Sequence, residues 1–385
     1  MKFRFLANLL LAGALLGLIA CKGTTTSTPT GTGLLYLAAQ SNQSIQAYSL
    51  SLGSGSLGEI GNMIATGVRP TAMAVTPAVS ALFVSNTGSN SVTSYTINSD
   101  GSLTSVATTS VGKLPAGLAV DANGQFLFVA NQGSSSISVF SINGANLAQV
   151  KGSPFTAIPP GTEVPTGPVA VAVPPAGNYL YVANQFTNNV SAFSFDSAGA
   201  LSIVPGSPYS TGLNPSGLAI SPAGTFLLVA NSGSGNVSSF AICAVASASC
   251  LTPNGSLTPA ANSPFSAGIS PVAIAFDPGF NFVYVVDHQS NEVFQYSFGV
   301  NDGSMTALSP AAIATGTTPV SIAIRAGAQG ADIGSSLVDL TDYVYVANIG
   351  GSSMSGFTVT TSTGLLTVLG AAVTTQGNPS AVVAK

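Results

Sequence analysis

The sequence of 385 residues contains no tryptophan, one histidine and three cysteines, and only 5% of its residues are charged, 8 basic and 12 acidic. An ordinary globular domain is about 25% charged. So little Lys and Arg leaves no basic stripe to neutralise phosphates, which excludes a nucleic-acid partner. Charge-driven disorder is excluded as well, because 46% of the residues are hydrophobic and can bury a core. No stretch has the 3.6-residue apolar period of an amphipathic helix. The P-loop, GxSxG, HExxH and calcium-loop patterns are missing. Gly53-Ser-Gly55-Ser-Leu-Gly58 matches GxGxxG literally, but it sits in a predicted hairpin turn with no helix after it, so it is not a dinucleotide site. Neither a cofactor nor a metal is expected.

The N-terminus carries an address. Lys2 and Arg4 precede an apolar run from Phe5 to Leu18, too short for a comfortable transmembrane helix of about 20 residues and better suited to a secretory signal. The run ends in Leu18-Ile19-Ala20-Cys21, which resembles the signal of bacterial lipoproteins. That resemblance implies cleavage before Cys21, acylation of its thiol, and a protein held at the bacterial cell envelope by its lipid alone. Residues 1–20 are then the signal peptide and residues 21–33 a Thr/Gly-rich flexible tether. Without Lys2 and Arg4, 6 basic residues face 12 acidic ones, so the mature chain is mildly acidic. Cys243 and Cys250, the remaining cysteines, have no CxxC spacing and no neighbouring His. Export would let them pair. A loop of eight residues closed in this way contributes roughly 2.5 kcal/mol in the chain-entropy model.

From residue 34 onward the chain repeats. One unit runs Pro115-Ala-Gly117-Leu-Ala119-Val120, then Phe126-Leu-Phe128-Val129-Ala130-Asn131, then Ile137-Ser-Val-Phe140. The middle strand ends in Asn or Asp at Asn86, Asn131, Asn184, Asn231, Asp287 and Asn348, with Leu35 to Ala39 as a seventh copy lacking the Asn. Each of these Asn side chains is expected to cap its strand by bonding its own backbone. Period-2 alternation, β-branched and aromatic residues and glycine turns indicate short antiparallel strands. Units of about 45 to 60 residues with four strands each read as propeller blades.

Counting fixes the number. First-strand signatures stand at Pro70, Pro115, Pro168, Pro215, Pro271, Pro319 and, at the far end, Pro379, whereas the first blade near Leu34 has none of its own. The fold predicted is therefore all-β, a seven-bladed β-propeller of four-stranded antiparallel blades spanning residues 34–385. Its C-terminal strand completes the N-terminal blade and removes the open edges. Two residues after each proline stand Ala72, Gly117, Ala170, Gly217, Ala273, Ser321 and Ala381. All are small, as convergence on an axis requires.

The Pro-x-small-x-Ala strand, the Tyr-Val-Ala-Asn strand (Tyr181 to Asn184, Tyr345 to Asn348) and the Gly-Ser-Pro segments at Gly152 and Gly206 resemble lactonase-type propellers. That family includes 6-phosphogluconolactonases and carboxymuconate lactonising enzymes and shades into YVTN-repeat surface proteins. The resemblance implies hydrolysis of a sugar lactone or related cyclic ester. It rests on scaffold residues and carries over no catalytic residue.

Charges are rare enough for their positions to matter. In propeller order, the loops joining the fourth strand to the next first strand (D–A) and the second to the third (B–C) open on one face. Arg69, Lys113 and Glu163 fall in D–A loops, and Asp287, His288 and Glu292 in the sixth B–C loop. A histidine there suits a general base near neutral pH. Glu163 or Glu292 would assist it, and Arg69 or Lys113 would stabilise an oxyanion. Lys113 and Asp287 would contact substrate. Arg325 belongs to the opposite face, beside Asp residues. The alternative is a monomeric, non-catalytic surface propeller binding a carbohydrate, peptide or protein through its Ser/Asn-rich loops.

Overall fold

The computed structural model describes residues 31–157, 163–243, 250, 252–279, 281–327 and 341–385. The segment read as a signal, Cys21 and nearly all of the segment read as a tether lie outside the described residues. The strands form seven antiparallel sheets around an axis, the blades I to VII. From the axis outward each blade carries strands A, B, C and D. Strand A runs Pro70–Val75, Pro115–Val120, Pro168–Ala172, Pro215–Ile220, Pro271–Phe276 and Pro319–Arg325 in blades II to VII. In blade I it is Pro379–Ala384, the last strand of the chain, pairing with Thr32–Ala39 in the register Ala38↔Ala381 and Tyr36↔Val383. The ring is closed by the C-terminal strand.

Burial explains which strand is which. The sequence reads strand B as alternating, yet Ala81–Asn86, Phe126–Asn131, Phe226–Asn231 and Phe282–Asp287 are buried at every position. Each is a middle strand pressed between two neighbouring blades, so neither face meets water and the run becomes continuously apolar. The D strands form the outer edge, and Leu103–Ser110 of blade II is exposed along most of its length. There the sequence turns to Ser and Thr.

Blades join through two recurrent contacts. Aromatic rings interlock between sheets, as where Phe195 of blade IV lies 5.0 Å from Phe128 and 6.0 Å from Phe126 of blade III. Buried B-strand tyrosines reach into the next blade, where their hydroxyls donate to carbonyls in C–D turns: Tyr36 to Gly101 at 2.9 Å, Tyr181 to Gly255 at 3.0 Å and Tyr284 to Gly364 at 2.7 Å. In blade V a disulfide joins Cys243 to Cys250 across a Cα separation of 5.3 Å.

Alternating strand direction sends the D–A and B–C loops to one end of the axis and the A–B and C–D loops to the other. Thr32 begins a B strand and Ala384 ends an A strand, so both described ends of the chain emerge on the A–B face.

Candidate functional site

The axis is open at its D–A/B–C end. A cavity of about 390 Å³ is lined by strand A of all seven blades together with Gln40 and Ile349. Each A strand begins with proline and a register shift, so Pro70 faces Asn86 while Ala72 faces Ser85. The small residue after the shift turns toward its neighbour. A Cβ on Gly117 would come within 2.7 Å of the Val169 carbonyl, and one on Gly217 within 2.5 Å of the Val272 carbonyl. The lining is uncharged: among the described residues that form it, none is ionisable.

The recurrent Asn builds the rim. Its side chain reaches strand C more than its own backbone. Asn131 Nδ2 donates to Ser136 and Ser138 (3.1 and 2.9 Å), and Asn184 Nδ2 donates to Asn189 and Ser191 (both 2.8 Å). These acceptors stand five and seven residues on, facing the Asn across the B–C hairpin. In blade VI those two positions are Glu292 and Phe294, so the second acceptor is lost and a carboxylate stands at the first. Asp287, an acceptor only, stands in place of the Asn. It is fully buried and takes four backbone N–H groups, from Ile269 and Ser270 at 2.6 Å each, Gln289 at 3.0 Å and Ser290 at 2.8 Å. Its carboxylate ties the D–A loop to the B–C loop.

Immediately after this position each blade presents one half-buried side chain: Gln40, Thr87, Gln132, Gln185, Ser232, His288 and Ile349. They form a collar around the channel mouth. Gln132 Nε2 donates to Gln185 Oε1 at 2.7 Å, and Thr87 Oγ1 to the Pro115 carbonyl at 2.6 Å. His288 Nδ1 lies 3.1 Å from the Pro319 carbonyl. A carbonyl oxygen only accepts, so Nδ1 carries the hydrogen, and in the neutral ring Nε2 keeps its lone pair. The His288 backbone N–H donates to the Ser270 carbonyl at 3.0 Å, fixing the residue from both sides.

All six charged candidates lie on this face, but they are not gathered equally. Asp287, His288 and Glu292 share one hairpin, in which Glu292 pairs directly with Asp287. Arg69, Lys113 and Glu163 are exposed on D–A loops of other blades. No hydrogen bond or ion pair joins them to that hairpin among the described residues. The glutamines of the collar were not singled out from sequence. Their signal was present, because each stands one residue after the recurrent strand end, in register with the histidine.

The sequence profile of the family described as "Lactonase, 7-bladed beta-propeller" matches residues 28–152, 147–248 and 244–384. The chain belongs to this family. Among curated proteins none matches it. Solved structures share the fold. A Bacteroides fragilis protein described as a candidate 6-phosphogluconolactonase is 19% identical at a TM-score of 0.73, over 94% of this chain and 99% of that one. The periplasmic gluconolactonase PpgL of Pseudomonas aeruginosa is 19% identical at a TM-score of 0.75, over 91% and 98%. Hydrazine synthase of Kuenenia stuttgartiensis also matches, 16% identical at a TM-score of 0.56, over 88% and 98%. At these identities the likeness is one of fold. This lactonase-family propeller must be assigned its chemistry from its own residues.

Proposed function

We propose that this chain is an exported, lipid-anchored hydrolase that opens a sugar lactone or related cyclic ester at the D–A/B–C mouth of its channel. The observation that carries this reading is the state of His288. Its Nδ1–H is committed to Pro319 and its Nε2 lone pair is left to accept a proton. A water hydrogen-bonded to Nε2 gives up its proton as its oxygen adds to the lactone carbonyl. The tetrahedral oxyanion then collapses, the ring C–O bond breaks, and the imidazolium protonates the departing alkoxide. Glu292 stands in the same hairpin as an acid to assist His288. Arg69 and Lys113 are the cations on this face for the oxyanion or the product carboxylate, with Glu163 a second acid. Family membership supports ester chemistry. The uncharged lining and the collar amides favour a neutral, hydroxyl-bearing lactone over a phosphorylated one. The name of the Pseudomonas aeruginosa relative, a periplasmic gluconolactonase, agrees with a substrate met outside the cytoplasm.

The test is the purified mature chain against neutral and phosphorylated sugar lactones near neutral pH, followed by acid release. Turnover of neutral lactones above the spontaneous rate is expected. Turnover of none would move the assignment to a binding propeller. That second reading draws on Phe186, Leu213 and Ile269, apolar side chains 58%, 56% and 57% exposed on the same face. For the anchor, Cys21→Ser should leave the membrane fraction, because acylation supplies the apolar attachment. Equal retention would refute lipidation.

A further inference from the structure

We propose, resting on the hydrolase reading, that the lactone opened at the D–A/B–C mouth carries an alkyl or aryl substituent, which lies on an apolar arc leading over blades IV, V and VI to His288. Three large apolar side chains form the arc: Phe186, Leu213 and Ile269, each more than half exposed. They stand at one level of the loops. Leu213 and Ile269 each come two residues before an A-strand proline, and Phe186 comes two residues after the strand-end Asn184. At that level the Phe186 N–H donates to the Thr166 carbonyl and the Gly233 N–H to the Leu213 carbonyl, both at 3.0 Å.

Hydrogen bonds tie these loops into a continuous rim. Asn188, two residues after Phe186, accepts from the Asn214 N–H at 2.8 Å. The Leu213 N–H donates to Ser234 Oγ at 2.7 Å, and the carbonyl of Gly235 accepts from the Ala267 N–H at 3.0 Å. The Ile269 N–H donates to the Asp287 carboxylate at 2.6 Å, and His288 is the next residue. On its other side the imidazole is bonded to Pro319, whose strand partner Asn348 precedes Ile349, the one apolar member of the collar. The backbone under each apolar side chain is thus fixed before a ligand arrives, which lowers the ordering cost of binding. A binding propeller would draw on the same side chains; their continuity with His288 assigns them to its substrate.

Charge is absent from this arc. Residues 185–188, 211–214, 232–235 and 267–270 include no ionisable side chain. Glu163 lies before the arc begins, and residues 158–162 next to it, outside the described residues, include no ionisable type. Hydroxyls in these loops are committed locally: Ser232 Oγ donates to the Asn214 carbonyl and Thr211 Oγ1 to the Gly212 carbonyl, both at 2.9 Å. A Cβ on Gly167 would lie 2.5 to 2.8 Å from Phe186 ring atoms, so the ring rests against backbone and keeps its outer face free. The cations of this face, Arg69 and Lys113, stand instead on blades II and III, beside the exposed Val68 and Leu114. A charged substituent over blades IV to VI would lose water with nothing to pair it, whereas hydrocarbon would cover apolar surface.

The experiment compares glucono-1,5-lactone with its 6-O-octyl ether, kept below micellar concentration, in acid-release assays of the mature chain. The ether adds hydrocarbon and no second ester. Its kcat/KM is expected to be about 10-fold higher, the gain appearing in KM because the substituent is bound alike in the ground and transition states. Leu213→Ser and Ile269→Ser should each bring the ratio between the two substrates toward 1, whereas Val68→Ser, on blade II, should keep it. Equal kcat/KM for the two lactones, a ratio that survives in both arc variants, or an equal loss in Val68→Ser would overturn the inference while the hydrolase reading stands. Turnover of neither lactone would remove the hydrolase reading and this substrate class with it.

Discussion

The hydroxyl of Tyr345, in the B strand of blade VII, donates a hydrogen bond to the carbonyl of Gly55, in the C–D turn of blade I, across 290 residues of sequence. It repeats at the closure what Tyr181 does for Gly255 between consecutive blades. The ring is therefore latched twice at one joint, by the shared sheet of blade I and by this side chain. Tyr345→Phe keeps the ring packing and removes the donor, leaving a buried carbonyl unpaired. A loss of about 1 to 2 kcal/mol is expected in denaturant unfolding, and Tyr181→Phe should lose a similar amount. A full effect in Tyr181→Phe with none in Tyr345→Phe would show that the closure contact does not stabilise the ring.

These phenols also predict the alkaline limit of the fold. Burial, reinforced by Asp100, pushes Tyr36 up to about 12, and burial shifts Tyr181, Tyr284 and Tyr345 in the same direction. A folded value above that of the unfolded chain, about 10, means that this contribution is complete below pH 10. It is lost as the pH rises toward 12, because the unfolded chain releases its protons first. Tyrosinate absorbance should therefore lag behind pH 10 and appear together with loss of the β-sheet circular dichroism signal. Ionisation of these buried tyrosines near pH 10 in an intact fold would contradict the burial argument.

At Gly117 the taper of the channel is set by backbone. A Cβ there would lie 2.7 Å from the Val169 carbonyl and 2.8 Å from the Ala170 Cα, neither of which can rotate aside. Gly117→Ala should destabilise by about 1 to 3 kcal/mol through overpacking. It should also lower the melting temperature more than alanine at Gly356, where an added Cβ meets only ordinary contacts at 3.4 to 3.5 Å. Equal melting of the two variants would mean that the inner strands are not in contact at this level.

Seven copies of Pro-x-small made the blade count readable, and the missing copy before Leu34 made the closure readable. Both are periodic and need no distance. Burial of strand B on both faces was legible but not read: Phe126 to Ala130 is a continuous apolar run, the pattern of a strand covered on both sides rather than an alternating one. The single charges Asp287 and His288 stood out by rarity, whereas Gln132 and Gln185 did not. A glutamine in a polar loop has no composition signal, and its place in the collar depends on the register that the fold imposes.

Asp287 tests how that rim is held. It accepts four backbone N–H groups from two loops. Asp287→Asn would bring an amide N–H₂ against donors, with Phe294 standing where the other blades offer a hydroxyl or, in blade I, Gln46. A loss of about 2 to 3 kcal/mol is expected, since hydrogen bonds to a charged acceptor are being exchanged for an amide facing backbone donors. Denaturant melts that overlay those of the wild type would show that the carboxylate is not what ties the two loops.

His288 gives the sharpest separation of chemistry from folding. Its imidazole is half-buried in the collar, and its described hydrogen bonds are the ring contact to Pro319 and the backbone contact to Ser270. His288→Ala keeps the backbone contact and loses only the ring. The melting temperature should therefore change little, as for other substitutions outside a packed core. Removing a general base lowers turnover by about 10²- to 10⁴-fold, and that loss should fall on kcat more than on KM, because Gln132 and Gln185 would still meet the substrate hydroxyls. His288→Gln is the companion variant: its amide can donate to Pro319 but cannot take a proton from water, so it should be as slow as the alanine. Lactone turnover within a few-fold of wild type in either variant would remove His288 from the mechanism. Recovery of activity by glutamine alone would reassign it from base to scaffold.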